Sequence, residues 1–390
     1  MKKIAIVVTE FIAGGVEKSL LELIDSIDQT EYEVTVFLPN KNGQWTHLLE
    51  EKVDVVVLEE KSVGNCVREL SKKLNLFGLF RFFYFRLKSK LTIGKNYAKG
   101  LEYRLKSEPK HHKNFDIAIA YKMSNIDVVL NCLYHIKSHK KVAWVHQIFN
   151  ISEMKYANFY NQFDKIFCVS EMLKNETESM FPELKDKTEV FHNILNVGKV
   201  KKLSTEFTPK LKKDNSQFAI VTVGRLSDEK GQEIIPSVAS LLRNKGYNFV
   251  WHIIGGGPLE QTIREKIEQY KVEENVILCG VKDFPYPYIK CCDVYVQTSK
   301  TEGWGITVSE AKALHKPIVT TDAGVMSEQI ENGVNGIIAD NYSAEALCNG
   351  IELLMTNGSL REEIIRNLEN EDNCSKDKVF LNRLYNLIEK

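Results

Sequence analysis

Short apolar runs rich in Val and Ile alternate with longer stretches of helical periodicity along nearly the whole chain, and this alternation constrains the fold more than any other feature. In the first half the runs are Ile4–Thr9, Glu33–Leu38, Val53–Leu58, Phe115–Tyr121, Lys141–His146, Lys165–Ser170 and Glu189–His192. In the second half they are Phe218–Gly224, Phe249–Gly255, Val276–Cys279, Val294–Gln297, Pro317–Thr321 and Gly336–Asp340. Most are apolar at nearly every position, as strands are when both faces of a parallel sheet are covered by helices. Helical patterns lie between them, among them Glu17–Ile27, Gly231–Asn244, Leu259–Tyr270, Ala344–Met355 and Leu360–Leu368.

The pattern restarts at Phe218, after a polar, Lys-rich stretch. This divides the chain into a first unit over 1–196, a linker over 197–216, a second unit over 217–372 and a closing segment over 373–390. In the closing segment Val379, Leu381, Leu384, Leu387 and Ile388 make an amphipathic helix, expected to pack back on the first unit. Open parallel sheets bind ligands beyond the carboxyl ends of their strands. Two such sheets put the expected site in the cleft between them.

Composition narrows the function classes. At 390 residues, 43% hydrophobic and 27% charged, the chain has an ordinary globular balance and the length of two large domains. Lys plus Arg and Asp plus Glu are both 52, which excludes a protein that coats nucleic acid with its whole surface. The opening run to Thr9 is too short for a signal peptide, and no stretch is apolar enough for a transmembrane helix. Eight cysteines are scattered without a Cys-x-x-Cys pair. They read as buried thiols of a cytoplasmic protein, with neither disulfides nor zinc.

Three motifs follow strands and carry chemistry. Ala13-Gly14-Gly15-Val16-Glu17 opens the first helix; its glycines admit a ligand to the backbone, and the helix N-terminus offers free N–H groups to an anion. It is equally a plain tight turn. In Gly224-Arg225-Leu226-Ser227-Asp228-Glu229-Lys230, two cations five residues apart suit a diphosphate, or are a pair of solvated charges. In Glu302-Gly303-Trp304-Gly305-Ile306-Thr307-Val308-Ser309-Glu310, two glutamates are separated by seven residues and the helix is expected from near Val308. Glu310 then falls in the first turn, where it either accepts bonds from vicinal hydroxyls or favours the helix dipole by about 0.3–1 kcal/mol. Glu302, in a glycine-rich loop, has no equally good structural role. No Asp-x-Asp occurs in the chain, so no metal site and no cofactor are expected.

In this order and spacing the motifs resemble the retaining glycosyltransferases of family four, whose GT-B architecture is two Rossmann-like parallel-sheet domains facing a cleft. Ile253-Ile254-Gly255-Gly256-Gly257-Pro258-Leu259, Cys279-Gly280-Val281 and Ala323-Gly324-Val325 match as well. The resemblance implies an acceptor-side domain over 1–196 and a nucleotide-sugar domain over 217–372. It implies that Arg225 and Lys230 neutralise the donor diphosphate, beside Gly224, and that Glu302 meets the transferred sugar. Gly303, Trp304, Gly305, Ile306 and Thr307 would form the loop whose amides meet sugar and phosphate. Glu310 would hold the ribose, and Val281 lies where the base is contacted. Gly14 and Gly15 would face the diphosphate, and His146 the donor sugar. The implied reaction is metal-independent transfer from a nucleotide diphosphate sugar, UDP before GDP, to a glycan or lipid-linked acceptor in cell-surface polysaccharide synthesis. The alternatives are a UDP-sugar epimerase of the same architecture and a non-catalytic nucleotide-sugar-binding protein.

One segment stands apart. Arg68–Lys113 holds 13 Lys or Arg and three Glu, a net charge of +10. Leu74, Phe77, Phe80, Tyr84, Leu87 and Leu91 recur in it at helical spacing, beside Arg81, Lys88 and Lys95. This suits a helix lying in an anionic membrane surface, which would place the protein at the inner face of the cell membrane. The other readings are core aromatics with a solvated basic face, and nucleic-acid binding, which is disfavoured.

Overall fold

The computed structural model describes residues 1–58, 66–68, 71, 76–108, 113–214, 216–371 and 373–389. The chain divides into two compact units, Met1–Ile194 together with Val379–Lys390, and Leu195–Lys378. All thirteen apolar runs are strands. The first unit holds β1 (Lys2–Val7), β2 (Tyr32–Leu38), β3 (Asp54–Val57), β4 (Asn114–Ala120), β5 (Lys137–Val145), β6 (Lys165–Cys168) and β7 (Thr188–Val190), in the order β3-β2-β1-β4-β5-β6-β7. The second holds β8 (Phe218–Val223), β9 (Phe249–Ile254), β10 (Val276–Leu278), β11 (Val294–Gln297), β12 (Ile318–Thr321) and β13 (Ile337–Ala339), in the order β10-β9-β8-β11-β12-β13. Every pairing is parallel.

The apolar composition of the strands explains the arrangement. In the second unit Ile220, Trp251, Ile253, Val296 and Val319 are fully buried beneath Val238, Leu242, Leu347 and Ile351 of the covering helices. Each such side chain contributes about 1.5–3 kcal/mol through burial. In each sheet the chain winds one way from its first strand and then the other. The reversal falls between β1 and β4 and between β8 and β11. Open α/β sheets bind their ligands at such a reversal point.

Two local readings differ from the sequence expectation, and a third decides between its alternatives. Gly231–Asn244 is not one helix: Gly231 adopts φ 64°, the left-handed conformation, and Pro236 sets the regular helix to begin at Ile235. The stretch read as a linker contains the helix Val197–Leu203, capped by the Asn196 side chain, which accepts from the Lys199 N–H; Val200 is buried. The third concerns the basic-aromatic segment, of which Leu74 and its neighbours at 69–70, 72–75 and 109–112 lie outside the described residues. The helix Leu76–Thr92 buries Phe82 and Ser89 and turns the Phe77, Phe80, Tyr84, Leu87 and Leu91 stripe outward. Phe77 is 76% exposed and Phe80 72%, against 1% for Phe82. The stripe is therefore not core.

Residues 379–389 complete the first unit. The Tyr385 ring stacks on Tyr32 at 4.5 Å between centroids, its hydroxyl accepts from the Asp28 N–H, and Phe380 packs on Phe191.

Candidate functional site

The loops leaving β8 and β11 are stitched together by their backbones. The Lys300 N–H donates to the Glu229 carbonyl at 2.9 Å, and the Thr298 hydroxyl to the Lys230 carbonyl at 2.9 Å. Lys300 also reaches Asp228 at 2.6 Å and Glu233 at 3.1 Å; these bonds, Asp228 first, hold its ammonium above the ordinary lysine range.

This frame sets Lys230 against Glu302, with Nζ 2.6 Å from Oε1 and 2.7 Å from Oε2. Glu302 is only 8% exposed. Its Oε1 accepts from the Gln297 amide at 2.9 Å and the Ser299 hydroxyl at 2.7 Å. Gln297 is held in turn by the Tyr295 hydroxyl at 2.7 Å and by Thr307 at 3.3 Å. The carboxylate is thus fixed in position while its lysine retains some solvent exposure. Arg225 stands exposed on the same loop as Lys230, and the Gln232 amide donates to its carbonyl. A buried carboxylate paired with a lysine, with an exposed arginine on the lysine's loop, at the reversal point of a parallel sheet, can bind an anion and a hydroxyl-bearing group together.

The helix after the second loop runs Ile306–Ala313 and begins earlier than expected. Gly305 precedes it at φ 86°, where a Cβ would also lie 2.7 Å from Met326 Cε. Glu310 consequently falls in the second turn, not the first, and is fully buried. That removes the solvated, dipole-facing role considered for it. Gly303, Trp304, Ile306 and Thr307 are part-buried along the loop and first turn, and the Trp304 carbonyl accepts from Gln329. Val281, after β10, is 60% exposed.

Gly14, Gly15 and His146 lie in the first unit. Gly14 is the extended residue preceding the helix Gly15–Ser26, and Gly15 is exposed. His146 directly follows β5, its ring 4.7 Å from that of Tyr121, and its Nε2 has no hydrogen-bond partner among the described residues. Burial, then the nearby Lys122 charge, pushes its pKa down to about 3 against an opposing bond with the Tyr121 backbone. The imidazole is therefore neutral at neutral pH.

Sequence reasoning missed Gln297, Ser299 and Lys300. A polar Gln closing an otherwise apolar strand, with Ser299 three residues before Glu302, is the available signal. Among the described residues no group of three or more His, Cys, Asp or Glu is placed to hold a metal ion.

Residues 204–371 match the family described as glycosyl transferases group 1. An uncharacterized glycosyltransferase of Methanocaldococcus jannaschii is 26% identical over 293 residues, 67% of this chain and 71% of the relative. The capsular polysaccharide biosynthesis glycosyltransferase CapM of Staphylococcus aureus is 33% identical over 155 residues, 39% of this chain and 40% of its own. Among solved structures, HepE of Anabaena in complex with UDP superposes with a TM-score of 0.71 at 17% identity, covering 99% of this chain and 100% of its own. A variant of S. aureus TarM, in complex with fondaparinux, alpha-GlcNAc-glycerol and UDP, gives 0.72 at 16% identity and covers both chains fully, 100% of each. Residues 204–371 of the second unit are accordingly similar to the glycosyl transferases group 1, and the chain is a glycosyltransferase with the GT-B fold.

Proposed function

We propose that the chain transfers a sugar, with retention and without a metal ion, from a UDP-sugar to a glycan acceptor. The observation that carries this reading is the Lys230–Glu302 pair fixed at the β8/β11 reversal, with Arg225 exposed on the same loop as Lys230. As the bond from the sugar to the diphosphate breaks, negative charge grows on the leaving group, and cations already in place stabilise it. Arg225 and Lys230 supply that charge, and Gly224 leaves the turn open to the phosphates. Glu302 accepts from the sugar hydroxyls, the loop Gly303–Thr307 offers its amides, Glu310 takes the ribose hydroxyls, and Val281 contacts the base. Gly14 and Gly15 are assigned to phosphate and His146 to the sugar. The acceptor oxygen attacks from the face the diphosphate leaves, and its proton passes to the departing phosphate. No side chain is assigned as a covalent nucleophile. HepE was solved with UDP and with UDP-glucose, and CapM serves capsular polysaccharide biosynthesis, which favours UDP and a cell-surface, lipid-linked glycan as acceptor.

The test is thermal-shift measurement with UDP, GDP, ADP and a panel of UDP-sugars, followed by NMR of the product's anomeric configuration. A ligand stabilises the fold by RT ln(1 + [L]/Kd), so UDP compounds should raise Tm most. Stabilisation by none of the nucleotides overturns the reading; an isomerised UDP-sugar made without acceptor points to an epimerase instead.

The anionic membrane surface is the second partner of this reading. The outward face of Leu76–Thr92 carries Phe77, Phe80, Phe83, Tyr84, Leu87 and Leu91 with Arg81 and Lys90 among them, and no acidic residue occurs in the helix. Such a face lies stably where acyl chains meet anionic headgroups. Among the described residues no helix is long and apolar enough to cross a membrane.

A further inference from the structure

A cavity of about 310 Å³ lies within the first unit, away from every motif residue of that unit. The first turn of the helix Tyr97–Ser107 and the segment Ile151–Tyr160 line it. The volume is at the small end of the roughly 300–1,000 Å³ of ligand sites, enough for one monosaccharide.

Its lining combines three chemistries. Tyr156, part-exposed, offers an aromatic face against which the C–H face of a pyranose packs, and Phe159, only 8% exposed, forms the floor beside it. Glu102, only 4% exposed, and Asn158 offer acceptors and an amide to hydroxyls. Burial pushes the Glu102 carboxyl up, but its bonds to Lys106 and Lys99 outweigh this and leave it below the ordinary range, so it stays an acceptor. The third is positive charge. Lys99 and Lys106 share the one Glu102 carboxylate, and Lys155, held over the Tyr156 ring at 5.0 Å, ion-pairs with no carboxylate among the described residues. A neutral sugar leaves this surplus uncompensated; an anionic one neutralises it.

We infer that this cavity binds an acidic sugar unit, a pyranose bearing a carboxylate or phosphate, with the anion on Lys155, the ring on Tyr156, and hydroxyls on Glu102 and Asn158. The inference rests on the transferase reading in one respect: it names this sugar as part of the acceptor glycan.

The experiment is titration calorimetry of the full chain with methyl glucuronide, methyl glucoside, a hexose phosphate and inorganic phosphate, with the UDP thermal shift measured in parallel. Methyl glucuronide or the hexose phosphate should bind in the millimolar range, at least tenfold tighter than methyl glucoside and than inorganic phosphate. Lys155→Ala should reduce this to the glucoside level and Lys155→Arg should restore it, while the UDP shift stays unchanged in both. Equal affinity for glucoside and glucuronide overturns the inference. So does an acid-sugar affinity that Lys155→Ala leaves intact, or no binding by either acidic sugar at millimolar concentration. Inorganic phosphate binding as tightly as the acidic sugars also overturns it, since the ring would then play no part. Loss of the UDP shift in the wild type sinks the transferase reading instead, so the two failures are distinguishable.

Discussion

The Lys230 ammonium bridges both carboxylate oxygens of Glu302, 2.6 Å and 2.7 Å away, across loops that leave neighbouring strands. The charge assigned to the leaving diphosphate is thus already engaged. An incoming phosphate does not meet a bare cation but joins a pair whose carboxylate is held independently by Gln297 and Ser299. When Lys230 turns towards phosphate, Oε1 of Glu302 stays bonded to Gln297 and Ser299, and Oε2 exchanges the ammonium for a ligand hydroxyl.

It follows that Lys230→Ala or Arg225→Ala should lower kcat/KM by roughly 10²–10³, a loss of about 3–4 kcal/mol of transition-state stabilisation, with the fold retained. Steady-state kinetics with the identified donor, alongside circular dichroism, measures both. Wild-type turnover in the double variant would remove the two residues from the chemistry.

Transfer should persist after dialysis and in excess EDTA, because the proposed neutralisation is by side chains. Activity lost with EDTA and restored by Mg²⁺ or Mn²⁺ contradicts that assignment.

Membrane docking should depend on the outward stripe. Co-sedimentation with anionic vesicles should fall sharply for Phe80→Ser/Phe83→Ser and for Arg81→Glu/Lys90→Glu, and salt should weaken the charged component, each cation being worth about 1 kcal/mol near the surface. Arg86 is a poor probe, because it pairs with Glu108, whose side chain is nearly fully buried. Binding by both variants equal to wild type would count against the reading.

His146 has a folded-state pKa lowered from 6.5 to about 3, so the unfolded chain binds a proton that the native protein does not. Its contribution to stability is complete above pH 6.5 and is lost progressively as pH falls towards 3, amounting to about 1–2 kcal/mol at pH 5. Denaturant unfolding of wild type and His146→Gln at pH 7 and pH 5 should show a smaller acid loss in the variant. Identical losses would refute the depressed titration.

Burial pushes the thiols of Cys132, Cys168 and Cys292 up to about 12. These three should resist alkylation in the native protein, while the part-exposed Cys279 and Cys291 react. Site-resolved mass spectrometry before and after unfolding checks this.

How far the fold was legible follows from where burial acts. Strands such as Val294–Gln297 are covered on both faces and must be continuously apolar, so their positions stand out in the sequence. Helix starts depend on backbone angles that composition does not encode. Gly231 and Gly305 look alike as letters, yet one breaks an expected helix and the other begins one early, which moved Glu310 into the second turn. The glutamates and cations were legible because they sit just beyond strand ends. The Lys230–Glu302 and Lys300–Asp228 bonds were not, because each joins residues 72 positions apart. The outward turn of the Phe77–Leu91 stripe agrees with the favoured reading of that segment, whose basic residues and run of aromatics suit an exposed face better than a core.

Tyr385, stacked on Tyr32, gives the first unit a particular history. Synthesis runs from the N-terminus, and domains tend to condense as they emerge. The first seven strands are complete by Val190, but the ring that covers Tyr32 and the Phe380 side chain that packs on Phe191 are made only after the whole second unit. The first unit is therefore finished later than the second, and a nascent chain stalled anywhere in the second unit leaves Tyr32 and Phe191 bare to chaperones.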